Sequence, residues 1–385
     1  MRLRHLVLMA AAVASAAQTA DAQGVTLGAG EVGIGIGNVP RLTGLRINLV
    51  DEGVERVDGV NLTLWRPKEN PEFVMNGIAL GLVAPAMSEL RGIGVGGLAV
   101  VTNRSLDGIG VGGLAVVSQG DLTGAAGGGL AVVTQGNLNG IGIGGLATVT
   151  QGSHTGIGLG GLASITQGDM LGAHVGGLGV VSQGDQTGAQ AALLGVISQG
   201  RSTGVGAAGL AVVSQEDMRG IHGAGLAVVS QGELAGIHSA GLAVVSQGSV
   251  TGIQGAGMAV VAQGSITGLS VAGLATVSQG DQNGINLAGL AVVAQGTTRW
   301  LSAAGLAVVS GRVEGAALSL GKVYTPDLAG LALSSYNDVR GVHRGLSIGI
   351  YNYARTMRGV QIGLVNYVRD NPAGLRLLPV FNADF

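Results

Sequence analysis

The sequence predicts an all-β fold, a single elongated parallel β-solenoid built from 16-residue coils with irregular caps. Three observations carry that expectation. Thirteen glycines recur at an unbroken interval of sixteen residues, from Gly92 to Gly284, and a fixed period in this range is the signature of stacked repeats. Within each repeat the apolar residues follow strand periodicity. No proline occurs between Pro85 and Pro326, as expected where every coil must donate its backbone N–H groups to the next.

With the recurring glycine as position 0, position 1 is nearly always aliphatic (Ile93, Ile109, Ile221) and position 3 often is (Val95, Ile143). Position 6 is leucine except at Met258, and position 9 is valine or isoleucine throughout. Alternation at 1 and 3 and a β-branched run at 8 and 9 favour extended backbone. Glycine interrupts every helical window, at roughly 1 kcal/mol each. Two short strands, with turns at Gly-Gly (4 and 5) and Ser-Gln-Gly (10 to 12), make one coil, and coils stack about 4.8 Å apart. Equivalent side chains then form ladders. Leu210 and Leu226 are expected to stack on the core side, while Gln190, His222 and Asn286 at position 2 point to water. Thr148, Ser164 and Thr276 mark position 8 as an outer one.

The chain divides into four segments. Residues 1–22 read as a secretory signal: Arg2 and Arg4, an apolar stretch from Leu6 to Ala17, and Ala20-Asp21-Ala22 before Gln23. Residues 23–91 form an N-terminal cap with looser coils begun by Gly44, Gly59 and Gly77, at spacings of 15, 18 and 15 residues up to Gly92. The polar loop from Arg66 to Pro71 is an insertion there. Residues 92–310 are the regular array. Residues 311–385 hold variant repeats and close the stack, since an open strand edge must be blunted. With no cysteine in the chain, neither a disulfide framework nor a thiolate metal site is available.

In the closing segment Gly345-Leu-Ser-Ile-Gly-Ile-Tyr-Asn-Tyr and Gly359-Val-Gln-Ile-Gly-Leu-Val-Asn-Tyr lie fourteen residues apart, with Asn352 and Asn366 at matching positions. Together with Leu378-Pro-Val-Phe-Asn382 and Phe385, these units resemble the Gly-rich surface repeat-containing proteins of spirochaetes and other bacteria of the Gram-negative type. The resemblance covers the last 75 residues or so. It implies an exported, envelope-associated protein of undefined activity and brings no catalytic residues. In the array only the Gly-x-aliphatic rhythm matches, because Ser-Gln-Gly stands where that family usually has Asn.

Candidate chemistry is sparse. Position 13 is often acidic (Asp121, Asp169, Asp185, Asp217, Glu233, Asp281), so neighbouring coils could share a Ca²⁺. Ser153, Arg201, Ser249 and Thr297 interrupt the row, and it reads better as a solvated turn. His222 and His238 fall in consecutive coils, with His174 three coils earlier; an outward polar site is favoured over a metal pair. Twelve glutamines from Gln119 to Gln295 occupy position 11 and are expected to stack their amides. The arginines Arg340, Arg344, Arg355, Arg358, Arg369 and Arg376 read as a solvated cap face, with lipid phosphate contact as the alternative.

No nucleophile elbow, metal-ligand helix or phosphate loop is present, and Gly-x-Gly strings arise from the repeat itself. The array has few basic residues and no aromatic between Phe73 and Trp300, and net charge is −2, which disfavours nucleic acid as a partner. No catalytic, cofactor or metal site is therefore assigned and no cofactor is expected. The function expected is that of a non-catalytic, exported cell-surface or outer-membrane repeat protein, structural or adhesive through its faces, with envelope components or self-association as partners and a periplasmic location as a variant. One alternative is a transmembrane β-barrel or pore, with each repeat one strand. A Ca²⁺- or glycan-binding module is the other. Apolar residues at all of positions 6 to 9 leave two readings open: a corner near position 8 turns the valine at 9 inward, or one face of the solenoid is covered by something.

Overall fold

The computed structural model describes residues 24–384 other than 66, 67 and 69; the signal segment, Arg66, Pro67 and the terminal Phe385 lie outside them. The fold is a parallel β-solenoid of about nineteen turns with about sixteen residues per coil, and it is not a barrel. Each strand of the regular array pairs in parallel with the strand sixteen residues on, whereas bacterial membrane barrels join antiparallel neighbours. Residues Met218–Ala224, for example, match Leu234–Ala240 position by position.

The described residues form two compact units that divide between Gly160 and Gly161. The first opens on an antiparallel pair, Gly24–Ala29 with Val32–Gly37, and parallel pairing begins with Val32–Gly37 against Arg41–Asn48. The uneven spacings of the cap glycines do not disturb register. Gly44 lies beside Gly59, Gly59 beside Gly77, and Gly77 beside Gly92, so extra residues are absorbed between strands. The second unit runs through regular coils to Ala304 and then through looser ones. It ends with Tyr336–Val368 paired antiparallel to Leu377–Asp384.

One regular coil contains a seven-residue strand, such as Met218–Ala224, and a four-residue strand, such as Ala227–Ser230. The two ladders face each other across a narrow interior. A Cβ built on Gly110 of the long strand meets Leu106 Cδ1 at 2.8 Å and Val116 Cγ1 of the short strand at 3.2 Å. The core consists of positions 14 and 8, as in Met218, Leu234 and Val250 facing Val228, Val244 and Val260. At position 10 a buried hydroxyl ties the next corner down. Ser214 Oγ donates to Gly200 O at 2.8 Å, and Ser246 Oγ to Gly232 O at 2.8 Å.

The recurring glycine has a steric cause. Gly220 has φ 121°, a region that side chains rarely enter, and a Cβ there would lie 2.1 Å from Gly204 O. After Gly284 the next residue in this row is Trp300, which pairs beside it. Trp300 has φ 76° and is 77% exposed. There the sixteen-residue period gives way, and Gly315 follows fifteen residues later.

Candidate functional surface

The outer side chains follow from the alternation within each strand. In Met218–Ala224 the side chains of Met218 and His222 point inward, while Arg219 and Ile221 point outward. The corner then carries Leu226 out to solvent at 44% exposure, and Val228 returns to the interior at 0%. This reverses the expected facing. Leucine at position 6 is an outer residue; position 2 and position 8 are inner ones, including Thr148, Ser164 and Thr276, which are fully buried. Leu210 and Leu226 do follow one another along the stack, but on the outside, where Leu226 N donates to Leu210 O at 2.9 Å. The corner has no room inside. In coils with glycine at position 4, a Cβ on Gly112 would fall 1.9 Å from Ala115 O, so the turn closes on backbone and sends its side chain outward.

The two edges of the coil differ sharply in chemistry. In residues 161–310 there are nine charged side chains: Asp169, Asp185, Arg201, Glu216, Asp217, Arg219, Glu233, Asp281 and Arg299. All occupy positions 12, 13 or 15, at the Gln-Gly-Asp corner. The same holds in residues 92–160, where Arg104, Asp107 and Asp121 are the charged residues. The opposite edge, from position 1 through Leu at 6 to Val at 9, carries none. Its outer residues are aliphatic or small, as Ile221, Leu226, Ala227 and Val229 illustrate.

At the charged corner the acidic row serves the backbone. Asp185 Oδ1 accepts the N–H of Arg201 at 2.7 Å, Asp217 Oδ1 that of Glu233 at 3.0 Å, and Asp281 Oδ1 that of Thr297 at 2.8 Å. Asn137 and Ser249 do the same for Ser153 and Ser265, which explains why Asp, Asn and Ser interchange there. Nearby arginines add exposed ion pairs, such as Arg219 with Asp217 and Arg299 with Asp281 and Glu314. Among the described residues no group of three or more His, Cys, Asp or Glu is placed to hold a metal ion.

The glutamines of position 11 are exposed at this corner. Their backbone N–H groups continue the ladder, as Gln231 N does to Ser214 O at 3.1 Å, and no amide-to-amide bond joins them among the described hydrogen bonds. Water satisfies an exposed amide, so nothing compels stacking. Burial does compel it. The amide ladder occurs instead in the closing coils, where Asn337 Nδ2 donates to Asn352 Oδ1 at 2.7 Å and Asn352 Nδ2 to Asn366 Oδ1 at 2.8 Å. All three asparagines are fully buried.

Position 2 brings an unforeseen polar column into the interior of the second unit. His222, His238, Gln254, Ser270 and Asn286 are each at most 1% exposed. The rings of His222 and His238 stack, and Ser202 Oγ lies 3.2 Å from His222 Nε2. The pKa of each histidine is lowered to about 4, chiefly by burial, with the neighbouring His238 contributing a smaller part of the lowering at His222. These imidazoles are neutral at physiological pH. Both amide atoms of Gln254 and Asn286 lack a hydrogen-bond partner among the described groups. The missed signal lay at position 14, whose Met218, Leu234, Val250 and Ile266 are inward and fix position 2 on the same side.

The caps hold buried charge. In the first unit Arg46 Nη1 donates to Asp51 Oδ1 at 2.6 Å and to Asn61 Oδ1 at 2.9 Å, both ionic side chains being fully buried. In the closing coils Asp338 pairs with Lys322 and Arg340, and Arg340 lies over the Tyr353 ring. Of the six arginines that form the cap face, Arg340 is thus bound into a cluster, and Arg355 lies 3.9 Å from Asp370. Arg344, Arg358, Arg369 and Arg376 are exposed. Comparisons with protein-family models, with curated proteins and with solved structures give no match for this chain.

Proposed function

We propose that this chain is a non-catalytic, exported element of a bacterial cell envelope, with a structural or adhesive role exercised through its coil edges and faces. The segregation of charge is the observation that supports this reading. One corner holds every charged side chain of residues 161–310, and the other presents Leu178 to Leu306, 39–60% exposed, with Met258 at 45% among them. Covering a half-exposed leucine is worth about 1 kcal/mol. Contiguous apolar surface on this scale marks an interaction site, and a repeated edge serves contact along its length better than chemistry at one point. The resemblance of residues 345–353 and 359–367 to surface repeat proteins, and the signal-like residues 1–22, point the same way.

The Ca²⁺ reading has less support, because one oxygen of each of Asp185, Asp217 and Asp281 already accepts a backbone N–H. Cell fractionation with protease shaving tests the proposal. The expected result is a chain cleaved before Gln23 and recovered with the envelope. Uncleaved chain in the cytoplasm overturns it.

A further inference from the structure

We infer that the first strand, Gly24–Ala29, is a pairing edge that takes the same strand of a second copy in antiparallel sense, joining two chains head to head. This inference rests on the cleavage before Gln23 proposed above and names a partner. Gly24–Ala29 pairs with Val32–Gly37 along one side, and among the described residues neither a strand nor a loop backbone bonds to its other side. An antiparallel strand turns the N–H and C=O groups of alternate residues to each side. The outer side therefore carries a row of donors and acceptors that only another strand matches.

Natural sheets blunt such an edge with charge, proline or a bulge. The last strand of the second unit is treated that way. Leu377–Asp384 contains Pro379 and ends in Asp384, Val380 has φ 67°, and its pairing with Tyr336–Val368 shifts register between Gly363 and Asn366. Gly24–Ala29 has none of these devices: it reads Gly-Val-Thr-Leu-Gly-Ala, and its register is unbroken. The two terminal edges are thus unlike, which favours a closed head-to-head pair over a head-to-tail array.

Three observations favour a second copy as the occupant. Cleavage before Gln23 sets the new amino terminus one residue ahead of Gly24, so no preceding segment of the chain remains to cover the edge. A twofold axis normal to the sheet pairs Val25–Ala29 with itself about Leu27, each copy giving and receiving the same bonds. That axis keeps Val25 and Leu27 of both copies on one face, beside Ile36 and Ile34 of the neighbouring strand, and lines up aliphatic cross-strand pairs. Last, Glu31 is the one charged residue of the hairpin and sits in its turn. Antiparallel pairing sets the two copies' Glu31 at opposite ends of the junction, so like charges do not meet. One strand from each copy makes a small contact, and a reversible, concentration-dependent dimer is expected.

Sedimentation velocity on the mature chain, residues 23–385, over a concentration series tests this. The wild type is expected to pass from monomer to dimer and no further. Leu27 is 61% exposed, so a charge there should leave the fold intact, which circular dichroism verifies. Leu27→Lys and Leu27→Glu should each raise the dissociation constant at least tenfold, because like charges then face each other across the axis. An equimolar mixture of the two should recover the dimer, and Leu377→Lys on the last strand should dimerise like wild type.

A wild type that stays monomeric throughout the series overturns the inference, as does a dimer that Leu27→Lys leaves intact or that the mixture fails to restore. Assembly beyond the dimer, or a dimer lost with Leu377→Lys, overturns it in favour of the last strand as the contact. Cleaved chain recovered with the envelope that stays monomeric refutes the pairing and leaves the proposed function standing. A dimer of residues 23–385 alongside uncleaved cytoplasmic chain refutes that function and leaves the pairing edge.

Discussion

The imidazoles of His222 and His238 lie one above the other inside the solenoid, their ring centroids 5.4 Å apart and their planes 3° from parallel. Both pKa values are lowered from 6.5 to about 4, by burial first. In the unfolded chain the same histidines bind protons at ordinary values. Between pH 6.5 and 4 the unfolded state therefore holds more protons, and stability falls as pH falls through that window. The loss levels off below about pH 4 and amounts to at most about 3 kcal/mol per histidine. Replacing both with glutamine, the residue that Gln254 supplies in the same column, should shift the acid unfolding midpoint downward. An unchanged midpoint by circular dichroism against pH would show that other groups set acid stability.

The facing of the coil yields a contrast between near neighbours. Val228→Asp should place a carboxylate between Val212 and Val244, all fully buried, and cost several kcal/mol. His222→Asp is expected to be comparably severe, since position 2 is interior. Leu226→Asp, on the exposed corner, should change stability by less than about 1 kcal/mol. Urea titration of the three variants measures this, and a Leu226 variant as unstable as the Val228 one would contradict the arrangement.

Trp300 occupies a row otherwise built from glycine. A non-glycine residue at positive φ costs on the order of 1–3 kcal/mol, part of which glycine's looser unfolded chain returns. Trp300→Gly is thus expected to raise stability by about 1 kcal/mol. Gly284→Ala, its neighbour in the row, should lower it by about 3 kcal/mol, because the new Cβ would lie 2.1 Å from Gly268 O. Thermal melts of the two variants should move in opposite directions.

Deleting residues 204–219 removes one coil and leaves every remaining ladder in register. Such a chain is expected to fold with a melting temperature close to wild type. Deleting 204–211 alone would set position 8 against position 0 and expose the valine column, so collapse or aggregation is expected. Similar melts for the two deletions would refute a fixed sixteen-residue coil.

The strand character, the parallel stacking and even the pairing of Gly44, Gly59 and Gly77 were legible in the sequence, because glycine at a strained position leaves a periodic mark. Which way the side chains point was not. Leucine at position 6 follows a turn, and a turn breaks the alternation on which facing is inferred. Position 2 misled for another reason. His222 and Gln254 are polar, and polar residues are ordinarily outside. Position 2 is interior at Gly110 and Gly142 as well, where Leu106 and Leu138 fill the space that a larger side chain would take. The Arg46–Asp51 pair of the first unit left no sequence signal, as its partners Asn38 and Asn61 come from different coils.

The backbone ladder also determines how the stack behaves under load. Each regular coil is bonded only to the coil before it and the coil after it, as Met218–Ala224 is to its two neighbours. A pull on one end of the second unit concentrates the force on the outermost rung, which must peel before the next is loaded. Every rung that yields frees about 55 Å of chain, the extended length of one coil. Tension is then dissipated in equal steps, and a tether of this kind lengthens by increments while the coils behind it stay intact.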